Sequence, residues 1–104
     1  MERELWVKWR ILPLFERGKD LEVRPASRYF KKFQTGDILF INHHLRRKIK
    51  VIRVYDDFVH MLDNENIGRI YPGATADEIL YILEQIYSPE QEAWGVLVFE
   101  LEPI

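Results

Sequence analysis

Four charged side chains occur close together in the segment Gly18–Arg24, and three of them, Lys19, Glu22 and Arg24, are of types that suit a ligand site. Apolar residues alternate there with Glu22 and Arg24, which is the period of a strand with one apolar and one polar face. The polar face would present a carboxylate and a guanidinium, with the ammonium of Lys19 at the preceding turn. Such a pattern fits a solvated strand with a surface ion pair, and it also fits the wall of a small-molecule or nucleotide site.

A second group of charges follows a polar loop near the middle of the chain. Five cations occur within eight positions there: Arg46, Arg47, Lys48, Lys50 and Arg53. They are candidates for contact with a nucleic-acid backbone, which would give binding a strong salt dependence. A solvated hairpin is the alternative interpretation.

The charge is distributed unevenly along the 104 residues, although the net charge is only −2. Residues 1–53 carry 14 Lys and Arg against six Asp and Glu, whereas residues 54–104 carry one Arg against 11 Asp and Glu. A shared basic surface would attract phosphates despite the acidic total. Alternatively, the two halves pack together and neutralise each other.

Metal and thiol chemistry are disfavoured. The chain has no Cys, so thiolate ligands, disulfides and a cysteine nucleophile are excluded. His43 and His44 are adjacent and would point to opposite faces of a strand, and His60 is the only other histidine. We therefore expect no bound metal and no cofactor. The three tryptophans are expected in the core or at its rim, with base stacking as an alternative.

The remaining patterns predict the elements that would position these groups. Strands are predicted at Glu4–Arg10, Leu21–Arg24, Ile38–Ile41, Lys48–Tyr55 and Val96–Glu102, and the alternation slips within the fourth, as a bulge would cause. Helices are predicted after Pro13, after Asp56 or Asp57, and after Thr75 and Ser88, with one helical turn or a tight loop after Ser27. Thr75 and Glu78 have the form of a capping box. We therefore expect one α+β domain spanning residues 1–104, a small mixed, partly closed β-barrel of about five strands with helices at its rim.

These landmarks, in this order, resemble the ASCH domain family of the PUA-like superfamily. The resemblance rests on the ordered set of a helix ending in Gly18-Lys19, the strand with Glu22-Val23-Arg24, Gly36-Asp37 before an apolar strand, Asp57-Phe58 before a helix, and Ile86-Tyr87-Ser88 followed by Gly95-Val96-Leu97. It covers nearly the whole chain. It implies a small β-barrel that binds RNA or nucleotides in a cleft lined by Lys19, Glu22 and Arg24.

One branch of that family implies a reaction. Its members are amidohydrolases that remove an acyl group from acetylated cytidine, using a Lys, a Thr three residues later and a distant Glu. Lys19 matches the first position and Glu65 is the candidate for the third, but Glu22 occupies the position of the Thr. A carboxylate does not replace a hydroxyl nucleophile, although it can act as a base on water.

The resulting expectation is an RNA- or nucleotide-binding module with its cleft around Gly18–Arg24. The alternatives are an amidohydrolase acting on an acylated nucleoside, with Lys19, Glu22 and Glu65 as catalytic residues, and a protein-interaction module. No apolar run approaches the length of a membrane span and no secretory signal opens the chain, so we expect a cytoplasmic protein with no membrane association.

Overall fold

The computed structural model describes all 104 residues and contains one mixed sheet of five strands. The strand order is β1-β3-β4-β5-β2, in which β1 lies parallel to β3 and every other pair is antiparallel. The strands are β1 Glu2–Leu5, β2 Leu21–Pro25, β3 Ile38–Ile41, β4 Leu45–Tyr55 and β5 Val96–Glu102. The α+β class and the five strands are therefore confirmed.

Helical segments occupy most of the connections between strands. A 3₁₀ helix spans Leu12–Arg17, and the α-helices are α1 Arg28–Lys31, α2 Phe58–Asn64, α3 Ile67–Ile70, α4 Ala76–Ile86 and α5 Pro89–Ala93. The sequence did not indicate α3, which is a single turn in the connection between α2 and α4. None of the helices combines the length and the apolar character that crossing a membrane requires.

The backbone ladder of the sheet does not close into a barrel, because β1 and β2 remain as its two edges. A side chain joins those edges instead. The guanidinium of Arg24, on β2, donates from Nη2 to the carbonyl of Trp6, just beyond β1, over 2.7 Å. The sheet is therefore open in its main-chain hydrogen bonds but linked across the gap by the Arg24 side chain.

The two faces of the sheet carry separate hydrophobic cores. One face packs on the 3₁₀ helix and α1, and its largest fully buried side chain is Phe99. The other face packs on α2, α3 and α4, with Phe58 and Met61 fully buried. Because β2 contributes Leu21 and Val23 to the second core, its polar residues point to the opposite side.

Several local signals are found where the sequence placed them. Thr75 and Glu78 satisfy each other's backbone donors at the start of α4. Gly18 ends the 3₁₀ helix at φ +108°, a conformation that residues with a Cβ rarely adopt. The slipped alternation of β4 is a register shift between Ile49 and Val51.

The first strand was predicted too far along the chain. It ends at Leu5, and the segment predicted to continue it to Arg10 leaves the sheet. The cause is Asn42, whose buried side chain accepts from the Val7 N–H and donates to the Val7 carbonyl. Beyond Leu5, the side chain of Asn42 takes the place of a main-chain partner from β3. This is because β3 ends at Ile41 and Asn42 begins the tight turn to β4, where Asn42 and His43 both have positive φ.

Candidate ligand-binding cleft

The turn before β2 buries a lysine. Lys19 is 2% exposed, and its ammonium donates to the carbonyls of Leu21 and Ile70 over 2.7 and 2.9 Å. A third contact, of 3.0 Å, joins Nζ to Oε1 of Glu22. Since an ammonium has three hydrogens, each of them has a protein acceptor. The rings of Phe15 and Tyr71 flank the charge, with centroids 5.5 and 5.1 Å from Nζ.

Glu22 links this lysine to Arg24. Glu22 is 6% exposed. Its Oε1 accepts from Lys19, and its Oε2 accepts from Nε and Nη2 of Arg24 over 3.2 and 2.7 Å. Burial alone would raise the pKa of Glu22, but the adjacent charges of Lys19 and Arg24 outweigh it and hold the pKa below its usual value. Glu22 is therefore an anion at neutral pH and a weak base.

Arg24 is the member of this triad that retains a free donor. Its Nε and Nη2 are occupied by Glu22 and the Trp6 carbonyl, while Nη1 has no protein partner. The guanidinium carbon lies 5.2 Å from the centroid of the Phe30 ring, so the group is held in a fixed plane from several sides. A fixed guanidinium with one open nitrogen is suited to contact a ligand.

Arg24 lines a cleft of about 330 Å³. It lies along the free edge of β2, between the segment that follows β1 and the last turns of α4. Glu22 and Arg24 form its polar floor, and Lys19 lies beneath Glu22 and does not line it. The remaining walls are Trp6, Val7, Lys8, Arg10, Ile11, Val23, Tyr71, Ile82, Leu83, Ile86 and Tyr87.

Two tyrosines add polar groups to this largely apolar cleft. The hydroxyls of Tyr71 and Tyr87 make no protein hydrogen bond and are open to solvent, since every fully buried side-chain polar atom has a partner. Burial raises the pKa of both phenols, that of Tyr71 to about 12, with the carboxylate of Glu22 adding to the effect. Both hydroxyls are therefore neutral donors at physiological pH.

Glu65, the distant candidate catalytic residue, belongs to a different cluster. Its carboxylate accepts from Nε and Nη2 of Arg53 over 2.7 and 2.8 Å and from the hydroxyl of Tyr55. Arg53 also donates to Glu100, and Arg69 joins Glu100 to Asp20. No hydrogen bond or ion pair connects Glu65 to Lys19 or Glu22, and Glu65 does not line the cleft.

This ion-pair network predicts a loss of stability in acid. Burial opposes ionisation of Glu65, but hydrogen bonds from Arg53 and Tyr55 lower its pKa, and the hydrogen bond from Arg53 lowers that of Glu100. Each carboxylate thus stabilises the fold above its unfolded-state pKa of about 4.3, and the contribution is lost as the pH falls through the folded-state pKa. We expect the free energy of unfolding, measured in urea from pH 6 to 3, to fall less steeply in Arg53→Met than in the wild type.

The matched control for that measurement is Arg28→Met, which removes an exposed arginine with no ion-pair partner from α1. It should keep the wild-type pH dependence. An Arg53→Met curve parallel to the wild type would show that the network does not set the acid sensitivity.

The five basic residues of the central segment do not form one surface. Arg46 and Lys48 lie on one face of β4 and Arg47 lies on the other, because successive side chains alternate. Four of the five are paired with carboxylates: Arg46 with Glu2, Arg47 with Glu16, Lys50 with Glu100, and Arg53 with Glu65 and Glu100. Only Lys48 forms no ion pair. Arg46 and Arg47 are thus neutralised within the basic half of the chain, whereas Lys50 and Arg53 are neutralised by carboxylates of the acidic half.

The histidines are likewise separated. His43 stacks on Phe40 and contacts Glu4, whereas His60 pairs with Asp57 at the start of α2. No three His, Cys, Asp or Glu side chains are arranged as a metal ion would require. Of the two positions expected for the tryptophans, the core is excluded, since Trp6, Trp9 and Trp94 are each at least half exposed, and Trp6 lies at the wall of the cleft.

Sequence reasoning missed most of the cleft walls. These walls include Tyr71 and Tyr87, together with Ile82 and Ile86 from the apolar stripe of α4 that Ile79 and Leu83 complete. Only Ile79 and Leu83 of that stripe are buried. The width of the apolar stripe on α4 was the available signal. A helix that carries more apolar residues than its contact with the core can bury has a second apolar surface, and here that surface lines the cleft.

Comparison with solved structures identifies relatives of the chain. No protein-family model and no curated protein matches the chain. The crystal structure of hypothetical protein PH0355 is 31% identical over the full length of both chains, with a TM-score of 0.91. The solution structure of PF0455 from Pyrococcus furiosus is 30% identical over all of this chain and 98% of its own, with a TM-score of 0.84. The chain therefore belongs to the protein family that includes PH0355 and PF0455.

Proposed function

We propose that the chain is a nucleotide- or RNA-binding module whose cleft is floored by Glu22 and Arg24, and that it is related to the ASCH domains of the PUA-like superfamily. The link between β1 and β2 through Arg24 supports the partly closed barrel that this relationship implies. The observation that carries the proposal is Arg24, which lines a largely apolar cleft and whose guanidinium is held in a fixed plane with Nη1 left without a protein partner. Apolar walls with a few convergent polar groups are typical of small-molecule sites.

The charges around the cleft favour an anionic ligand. Lys8 and Arg10 lie at its rim and form no ion pair, and Arg24 and the underlying Lys19 add two further cations. Glu22 is the only carboxylate among the lining residues. A group with this excess of positive charge attracts phosphate, while the neighbouring tyrosine rings suit a planar base. Lys19 acts in this proposal as a positioning residue, because it fixes the carboxylate that fixes Arg24.

Binding is favoured over hydrolysis by the arrangement of the three candidate catalytic residues. Glu22 is a weak base, every hydrogen of the Lys19 ammonium has a protein acceptor, and Glu65 is engaged by Arg53 and Tyr55. A hydrolytic mechanism would require all three to be rearranged around the substrate.

The proposal is tested by titrating short RNA and nucleoside monophosphates into the protein at several salt concentrations. We expect saturable binding, weakened about tenfold in Arg24→Lys, since a lysine keeps the charge but loses the planar, multiply bonded geometry. Arg28→Lys, on the surface of α1, is the matched control and should bind as the wild type does. Absence of binding at low salt, or equal affinity in Arg24→Lys, would contradict the proposal.

A further inference from the structure

The free edge of β2, where Val23 lines the cleft, carries main-chain groups that no strand pairs with. The carbonyl of Asp20 accepts from Leu101 on β5, and the N–H of Ala26 donates to Gly95 just before β5. Main-chain groups alternate in direction along a strand, so those of Glu22 and Arg24 point to β5 and those of Leu21, Val23 and Pro25 point away from it. Since β2 is an edge of the sheet, no strand meets the second set.

Val23 is the one residue of this edge that keeps both a donor and an acceptor open to the cleft. The carbonyl of Leu21 is taken by the ammonium of Lys19. Pro25 has no N–H, and its carbonyl accepts from the N–H of Ser27. The N–H and carbonyl of Val23 have no side-chain partner, and Val23 lines the cleft.

A single open residue limits what can pair with this edge. A peptide that adds a strand to a sheet uses several alternate residues along the edge. Here the positions on both sides of Val23 are closed, by Lys19 on one side and by Pro25 on the other. One N–H and one carbonyl side by side match a flat ring whose edge carries an adjacent acceptor and donor, which is the arrangement on the pairing edge of every nucleobase.

The surroundings of Val23 fit such a ring. The cleft volume of about 330 Å³ lies at the small end of the range for ligand sites, roughly 300–1,000 Å³, and so accommodates one nucleoside better than a longer ligand. Apolar side chains of α4 cover one wall, and the tyrosine hydroxyls of Tyr71 and Tyr87 remain for the sugar or phosphate. Arg24 then lies next to the base-reading residue in sequence and faces the same cleft.

We propose that the cleft reads the pairing edge of one flipped-out or free nucleobase through the N–H and carbonyl of Val23. This inference rests on the proposed function and adds to it which atoms recognise the base. It also excludes duplex RNA as the ligand, because the pairing edge of each base in a duplex is already occupied.

The test uses the four nucleoside 5′-monophosphates, each paired with its counterpart methylated on the ring nitrogen of the pairing edge. The ¹⁵N–¹H spectrum of the wild-type protein reports each titration. We expect the Val23 amide resonance to shift on binding and methylation to weaken binding about tenfold or more. The inference would be overturned if a methylated nucleotide bound as tightly as its parent and the Val23 amide resonance did not shift. If the resonances of Tyr71 and Arg24 shifted in that experiment, the proposed function would still hold. Absence of binding by all eight compounds would overturn the inference, and absence of binding by short RNA as well would overturn the proposed function.

Variants of Val23 provide an independent readout. Val23→Pro removes the N–H that faces the cleft but no ladder bond, since that N–H points away from β5. Val23→Ala is the matched control, because it also loses core contacts but keeps the N–H. We expect Val23→Pro to bind at least about tenfold more weakly than Val23→Ala. Equal affinities of the two folded variants would count against the inference. If Val23→Pro does not fold, the titrations of wild-type protein with the methylated nucleotides test the inference instead.

Discussion

Replacing Glu22 by Gln should destabilise the fold by about 3 kcal/mol or more, because it leaves the buried ammonium of Lys19 without its counter-ion. Lys19 is 2% exposed, and its other two acceptors are uncharged carbonyls. The amide of Gln also presents donors to a site in which Lys19 and Arg24 both donate. The free energy of unfolding from urea denaturation at pH 7 measures the effect. Glu84→Gln, on the exposed face of α4, is the matched control and should change stability by less than about 0.5 kcal/mol.

The sign of the pH dependence gives a second check on the same carboxylate. Its folded-state pKa lies below its usual value, so its contribution to stability is complete above the unfolded-state pKa and is lost as the pH falls through the folded-state pKa. The gap in stability between wild type and Glu22→Gln should therefore narrow on acidification. A gap that is small at pH 7, or that widens in acid, would show that Lys19 does not depend on this ion pair.

Filling the cleft should abolish ligand binding without unfolding the protein. Ile86 lies in the last turn of α4, lines the cleft and is 43% exposed, so Ile86→Trp places an indole in the open volume and leaves the core intact. We expect a loss of affinity for the best nucleoside monophosphate of about a hundredfold or more, because the bulky side chain and the base cannot occupy the same space. Isothermal titration calorimetry at low salt measures the loss.

The control lies on the same helix. Tyr81 is 66% exposed and does not line the cleft, so Tyr81→Trp introduces the same indole on the solvent side of α4. It should bind as the wild type does, and both variants should keep the wild-type midpoint of thermal unfolding within a few degrees. Full affinity in Ile86→Trp would exclude the cleft as the binding site. The next candidate would then be the surface around Lys48, the one cation of the central basic group without an ion-pair partner.

The sequence determined the elements whose cause is local. The capping box of Thr75 and Glu78, the glycine stop at Gly18 and the bulge in β4 depend on residues a few positions apart, so the pattern alone predicted them. The pairing of Glu22 with Arg24 is also local, because residues two apart on a strand share a face. The first strand was misplaced because its end is set by Asn42, which is 35 positions from Val7 in the chain.

Only the tertiary structure decided what the charged residues do. The burial of Lys19 cannot be predicted from the sequence. One of its carbonyl acceptors belongs to Ile70, which lies 51 positions away on α3, a helix that the sequence did not indicate. Likewise, Glu65 is held by Arg53 and Glu100 pairs with the same arginine from another strand. Burial and pairing of charges depend on which distant segments meet, and those meetings are fixed by packing on both faces of the sheet rather than by spacing along the chain. The local sequence of Gly18–Arg24 thus accounts for the ion pair of Glu22 and Arg24. Its position at the floor of the cleft depends on the packing of distant segments around β2.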